Sequence, residues 1–131
     1  LTKSVMDAWV AKKILIYKGM VDDVRSEIAR SDCVVLPSIY PEGTPRSLLE
    51  GASMGKPIIT TNMPGCVSTV EDGINGFLCK PKSIPDLVLS MEKIINMTHK
   101  DRLKMGLKSR ELAKRKFDER FVIEKYLESI T

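Results

Sequence analysis

The sequence predicts an α/β fold: a parallel sheet flanked by helices, followed by an all-helical tail. Three observations carry this. Short continuous apolar runs closed by turn residues recur at intervals, as in strands covered on both faces. Segments with apolar residues three and four apart separate them. After Cys79 only the helical period remains.

In chain order, "KKILIYKG" (12–19) reads as the first strand, and the segment carrying Val21, Val24 and Ile28 as a helix. "DCVVLPS" (32–38) is the second strand, followed by a helix on Leu48, Leu49 and Ala52 that Gly55 stops. "KPIITT" (56–61) is the third strand, and "GFLC" (76–79) a shorter fourth after the turn Asp72-Gly73-Ile74-Asn75-Gly76. Strand, helix, strand in succession implies right-handed crossovers and a parallel sheet. Ser83 and Asp86 stand in capping-box-like positions before a helix whose Ile84, Leu87, Val88, Met91, Ile94 and Ile95 share one face. A further helix is expected over 100–116, and another over 119–130 with Val122, Tyr126 and Ile130 four residues apart. The whole chain, 1–131, is read as one unit, with an α/β portion over 1–80 and a helical tail over 81–131.

The length suits one ordinary domain, and 43% apolar residues are enough for a single core. A net charge of +4 suits anionic ligands, but no aromatic-interleaved basic tract of a nucleic-acid binder is present. Lys114-Arg115-Lys116 reads as a solvated helix end complementing the dipole, in preference to a lipid or nucleic-acid patch. Cys33, Cys66 and Cys79 lack the spacings of metal knuckles or redox motifs and are expected to be reduced structural thiols. No apolar run approaches the ~20 residues of a membrane span, and the opening Leu-Thr-Lys-Ser has neither a signal-peptide core nor an initiator Met, as in a chain that begins mid-protein. His99, the single histidine, is expected to be structural or exposed.

The informative stretch is "SIYPEGTPRSLLEGASMGKP" (38–57). It places a loop at the carboxyl end of a parallel strand, where open α/β sheets bind ligands. The helix opening near Pro45 aims unpaired amides and a positive dipole end into that loop. Pro45 suits the first turn, leaving the amides of Arg46 and Ser47 to donate to a phosphate, and Gly43 allows close approach of the backbone. Glu42 and Glu50 would repel a phosphate, so their natural partners are neutral hydroxyls, for which carboxylates are strong acceptors. A polyol, a phosphate and a second polyol describe a nucleotide sugar. The competing reading is structural: Glu42 and Glu50 as surface residues, with Arg46 the i, i+4 ion-pair partner of Glu50.

"PEGTPRSLLEGASMGKPIITT" resembles the signature region of the retaining GT-B glycosyltransferases of glycosyltransferase group 1 (family four), with their Glu-x7-Glu motif at Glu42 and Glu50. The resemblance runs from "YKGMVDDVRSEIARSDCVVLPS" through "NMPGCVSTVEDGINGFLCKP" to the terminal helices, nearly the whole chain. "PEGTPRSLLE" is similar to bacterial enzymes that build capsule, O-antigen and other surface glycans.

The resemblance implies a partial Rossmann-like sheet, the later part of the second, donor-binding domain. It assigns Glu42 to the catalytic centre against the donor sugar, and the sugar and diphosphate to Glu42, Gly43, Thr44, Arg46 and Ser47. Glu50 would take the ribose hydroxyls, and Lys18, Gly19, Met20 and Val21 would lie against the base. Two positions depart from the family: Pro45, which has no N–H where many relatives carry Gly, and Ser68, where relatives often carry Glu. The acceptor domain and the first two donor-domain strands are not matched, which would leave "ILIY" separated from "VVLP" by a gap in the sheet. "ILIY" is therefore expected to re-pair or to swap between two chains.

The implied reaction moves a sugar from a nucleotide sugar, UDP favoured over GDP, to an acceptor hydroxyl with retention of configuration. The acceptor is a glycan or a lipid-linked glycan, and no metal or other cofactor is expected. The isolated chain is expected to be inactive, and the full enzyme cytoplasmic or peripheral at the inner face of the plasma membrane. A non-catalytic nucleotide-sugar-binding module and a GT-B-related epimerase are the alternatives. An unrelated dinucleotide-binding or P-loop enzyme is disfavoured by the lack of both glycine fingerprints.

Overall fold

The computed structural model describes residues 2–41 and 43–117. Helix α1 covers Lys3–Ala11 and α2 Arg25–Arg30; strand β1 is Val34–Leu36, α3 is Arg46–Ser53 and β2 is Ile58–Thr61. A 3-10 turn at Val67–Thr69 leads to β3, Gly76–Cys79, and then to α4, Ile84–Ile95, and α5, His99–Phe117. The strands form one parallel sheet in the order β1-β2-β3, with Val35 opposite Ile59 and Ile59 opposite Phe77.

Alternation along β2 explains why "IITT" reads as continuously apolar at its start. Ile58 faces Leu48, Ala52, Cys66, Val70 and Ala113 on one side. Ile59 faces Ile94, Met105, Phe77 and Leu87 on the other. Successive side chains of a strand point to opposite faces, so a strand between two helical layers must be apolar at both. The two buried threonines that follow are satisfied rather than stranded. Thr60 Oγ1 donates to the Leu36 carbonyl at 2.8 Å and Thr61 Oγ1 to the Ser38 carbonyl at 2.7 Å. These bonds tie down the segment that leaves β1 and carries the chain toward α3.

The helices begin where the sequence chemistry places them. The Ser83 hydroxyl accepts from the Asp86 amide at 3.3 Å, and Asp86 Oδ2 accepts from the Lys80 amide at 2.6 Å, fastening the start of α4 to the end of β3. Thr98 Oγ1 caps α5 by accepting from the Asp101 amide at 3.1 Å. A buried polar knot links α5 to the turn before β3. Asn75 Nδ2 donates to the Thr69 carbonyl (2.9 Å) and to Ser109 Oγ (3.2 Å), and Ser109 Oγ donates to the Asn75 carbonyl (3.0 Å).

Three expectations are corrected. "ILIY" is not a strand: it lies outside the sheet, with Ile14, Ile16 and Tyr17 at 65%, 80% and 60% exposure. Apolar composition favours extended backbone, but a strand also needs a neighbour to receive its N–H and C=O groups. Among the described residues no strand pairs with this run, and the Ile14 amide donates instead to the Trp9 carbonyl at 2.9 Å. The helix expected around Val21, Val24 and Ile28 starts later, at Arg25. Asp23 Oδ1 accepts from the Arg25 amide at 3.0 Å, a turn that ends the extended segment and opens α2. Pro45 is the N-cap of α3, not its first helical residue, with φ −64° and ψ 133°. The helix expected over 119–130 lies outside the described residues, as does Glu42. The N-terminal α1 was not anticipated; Thr2 caps it, its Oγ1 accepting from the Val5 amide at 3.3 Å, and none of its residues is buried.

Candidate functional site

The first turns of α3 form one wall of a cleft of about 560 Å³, lined by Asp22, Asp23, Val24, Arg25, Arg46 and Glu50. The facing wall is therefore the run that opens α2. On the α3 side, the Pro45 carbonyl accepts from the amides of Leu48 (3.2 Å) and Leu49 (3.3 Å). The amides of Arg46 and Ser47 precede these and have no intrahelical acceptor, which makes the helix start a donor surface for an anion.

Charge in the cleft is arranged in two pairs. Arg46 Nε donates to Glu50 Oε1 at 2.8 Å. Arg25 Nε lies 3.0 Å from both oxygens of Asp23, and its Nη2 donates to Asp23 Oδ2 at 2.7 Å. The hydrogen bonds from the Arg25 side chain, then from its backbone, hold the Asp23 carboxyl down at about 2, so it is ionised at any physiological pH. The Arg25 guanidinium is shifted upward, chiefly by its hydrogen bond to Asp23 and further by the charge of Glu50. The cleft thus offers two arginine cations and three carboxylates, a surface suited to a ligand with both anionic and hydroxyl groups.

The expected site residues divide in their placement. Arg46 and Glu50 line the cleft. Lys18, Gly19, Met20 and Val21 form an exposed run just ahead of its Asp22–Arg25 wall, with Gly19 at φ +69° and Lys18 Nζ 3.8 Å from Glu27 Oε2. Gly43 lies in open space, Thr44 is half-buried and Ser47 is exposed; all three adjoin the cleft along the chain without lining it. Asp22, Asp23 and Arg25 were not singled out from the sequence. Their signal was the dense charge "DDVR" directly after the exposed "YKGMV", at the mouth of a helix.

Other chemistry is less well served. Burial pushes the Cys33 thiol up to about 12 and raises that of Cys79 as well, which leaves neither a thiolate nucleophile at neutral pH. Among the described residues no three His, Cys, Asp or Glu side chains are grouped to hold a metal ion, and no helix is long and apolar enough to cross a membrane.

Comparison with known proteins places this architecture. Residues 6–112 match the family described as glycosyl transferases group 1. The chain is 32% identical over 112 residues to N,N'-diacetylbacillosaminyl-diphospho-undecaprenol alpha-1,3-N-acetylgalactosaminyltransferase of Campylobacter jejuni, covering 85% of this chain and 29% of that protein. Its structure superposes on Anabaena Alr3699/HepE, solved in complex with UDP, with a TM-score of 0.87 at 24% identity, covering 98% of this chain and 36% of the other. It also superposes on the C-terminal domain of the group 1 family protein LpcC of Francisella tularensis, with a TM-score of 0.75 at 24% identity, covering 89% of this chain and 63% of that one. The chain thus spans less than a third of the Campylobacter protein and little more than a third of the Anabaena chain. It belongs to the glycosyl transferases of group 1, and its fold is that of their C-terminal GT-B domain.

Proposed function

We propose that this chain is the donor-binding part of a retaining glycosyltransferase that moves a sugar from a nucleotide sugar, UDP-linked, to an acceptor hydroxyl in bacterial polysaccharide or surface-glycan synthesis. The observation that carries the reading is the cleft that Glu50 and Arg46, at the start of α3 where the first amides have no intrahelical acceptor, share with the Asp22–Arg25 run. In this reading Glu50 accepts from the ribose hydroxyls, and the amides of Arg46 and Ser47 receive the diphosphate. Glu42, Gly43 and Thr44 face the sugar, and Lys18, Gly19, Met20 and Val21 flank the base.

The chemistry follows from charge. Departure of the nucleoside diphosphate builds negative charge on its oxygens, which amides at a helix start and the cations Arg46 and Arg25 stabilise. An oxygen of the departing diphosphate takes the proton of the acceptor hydroxyl, which attacks from the same face and so retains the configuration. The two glutamates are hydroxyl acceptors, not a hydrolase acid and nucleophile. The proposal needs no metal or other cofactor, since fixed donors and guanidinium groups neutralise the leaving group.

The acceptor is proposed to bind in the part of the enzyme that this chain does not span, so this chain alone is inactive. The Campylobacter relative is named for a diphospho-undecaprenol acceptor, which supports a lipid-linked glycan here and an enzyme peripheral to the inner face of the plasma membrane.

A calorimetric titration with UDP, with GDP as control, tests the reading. UDP is expected to bind, and Glu50→Ala to weaken it about tenfold, the loss expected of charge-assisted hydrogen bonds to the ribose. UDP affinity unaffected by that substitution would remove the ribose from Glu50 and contradict the proposal.

A further inference from the structure

We propose that Arg46 is a specificity latch: its guanidinium, paired with Glu50, releases that carboxylate to ribose only when a diphosphate takes its place as the guanidinium's partner. The inference rests on the nucleotide reading of the cleft and goes beyond it. It makes the cleft select a nucleoside diphosphate over the bare nucleoside through coupling, not through added contacts alone.

Three features support the latch. The first is occupancy. Arg46 Nε holds Glu50 Oε1 at 2.8 Å, and both residues line the cleft, so a vicinal diol that needs both oxygens of Glu50 must compete with the guanidinium. The second is ease of release. The Arg46 side chain is 92% exposed and that of Glu50 30%. No packing holds the arginine in this rotamer, and such a pair is weak.

The third is that the pair is poorly placed to serve helix stability. Arg46 is the first residue of α3, and the first turn has no acidic residue. A cation there opposes the helix dipole, and Arg preceding Glu by four residues is the less favourable order. The positive charge at this helix start becomes favourable once an anion arrives. The Cα–Cβ bond of a helical residue tilts toward the N-terminus, which places the stem of Arg46 beside the amides that would receive that anion. Arg25, on the opposite wall, keeps a cation near Glu50 after Arg46 has left.

The latch predicts opposite effects on two ligands of the same cleft. In calorimetric titrations Arg46→Met is expected to bind uridine about twofold tighter, because a weak competing ion pair is gone. The same variant is expected to bind UDP about fivefold weaker, because a partly exposed charge-assisted contact is lost. Arg46→Lys, which keeps the charge, should recover part of the UDP affinity and lose the uridine gain. The position is solvent-exposed, and a urea midpoint no lower than that of the native chain will show that the variants fold. If Arg46→Met shifts both ligands in the same direction, or neither, the latch is overturned while the site reading stands. If the native chain binds neither ligand, or Glu50→Ala leaves UDP binding unchanged, the site reading falls and the latch with it.

Discussion

Gly76→Ala is expected to destabilise the chain by about 4 kcal/mol, well above the usual effect of adding one methyl group to a packed site. Gly76 pairs with Ile58 in the parallel register of β2 and β3. A Cβ on Gly76 would lie 1.7 Å from the Ile58 carbonyl oxygen, 2.7 Å from its carbon and 2.8 Å from its nitrogen. Every atom met is backbone of a fully buried strand, so no side chain can swing away. Accommodation requires β3 to move off β2, which breaks ladder hydrogen bonds and the polar knot of Asn75 and Ser109 next to it. Relative to a total stability of roughly 5–15 kcal/mol, the loss should appear as a large drop in the urea midpoint followed by circular dichroism. A midpoint within error of the native chain would show that β3 does not pack as described.

Gly106→Ala sets two effects of opposite sign against each other. In the middle of a helix alanine is favoured over glycine by about 1 kcal/mol, and α5 is otherwise an ordinary long helix. Yet a Cβ on Gly106 would lie 1.9 Å from the Gly55 carbonyl oxygen and 2.8 Å from its carbon. Gly55 sits at φ +73° in the turn that ends α3, and Arg110 donates to the nearby Ser53 carbonyl. The turn is thus held between its own conformation and α5 and has little room to retreat. The clash should prevail, for a net loss of about 3 kcal/mol. Because α3 carries Arg46 and Glu50, the variant should also weaken UDP binding at temperatures where it remains folded. Stabilisation by the substitution, as propensity alone predicts, would show that α3 and α5 do not touch here.

The elements that were legible in the sequence share a cause. "VVL", "IITT" and "GFLC" appear as strands because both faces of the sheet are covered, and burial on two sides leaves a continuous apolar signature. α4 was legible from Ser83, Asp86 and one apolar stripe, and α5 closely matches its expected span. "ILIY" carries the same signature as the true strands and is not one. Local composition reports what a segment would bury, whereas pairing depends on a neighbour that composition does not reveal. α1 went unread although Val5, Met6, Trp9 and Val10 stand at helical spacing on one side of it, and in the structure Val5, Trp9 and Val10 are exposed.

The site divides along the same line. Arg46 and Glu50 are four residues apart on one helix, a relation that spacing alone expresses. That Asp22, Asp23 and Arg25 stand across from them is a tertiary fact, invisible to any local pattern.

The most direct test of the central claim is a crystal structure of the chain with UDP. The account predicts ribose hydroxyls within hydrogen-bond distance of the Glu50 carboxylate, the diphosphate on the amides of Arg46 and Ser47, and the Arg46 guanidinium moved from Glu50 to a phosphate oxygen. UDP bound away from the start of α3, or with Glu50 still paired to Arg46 and no hydroxyl against it, would contradict the account.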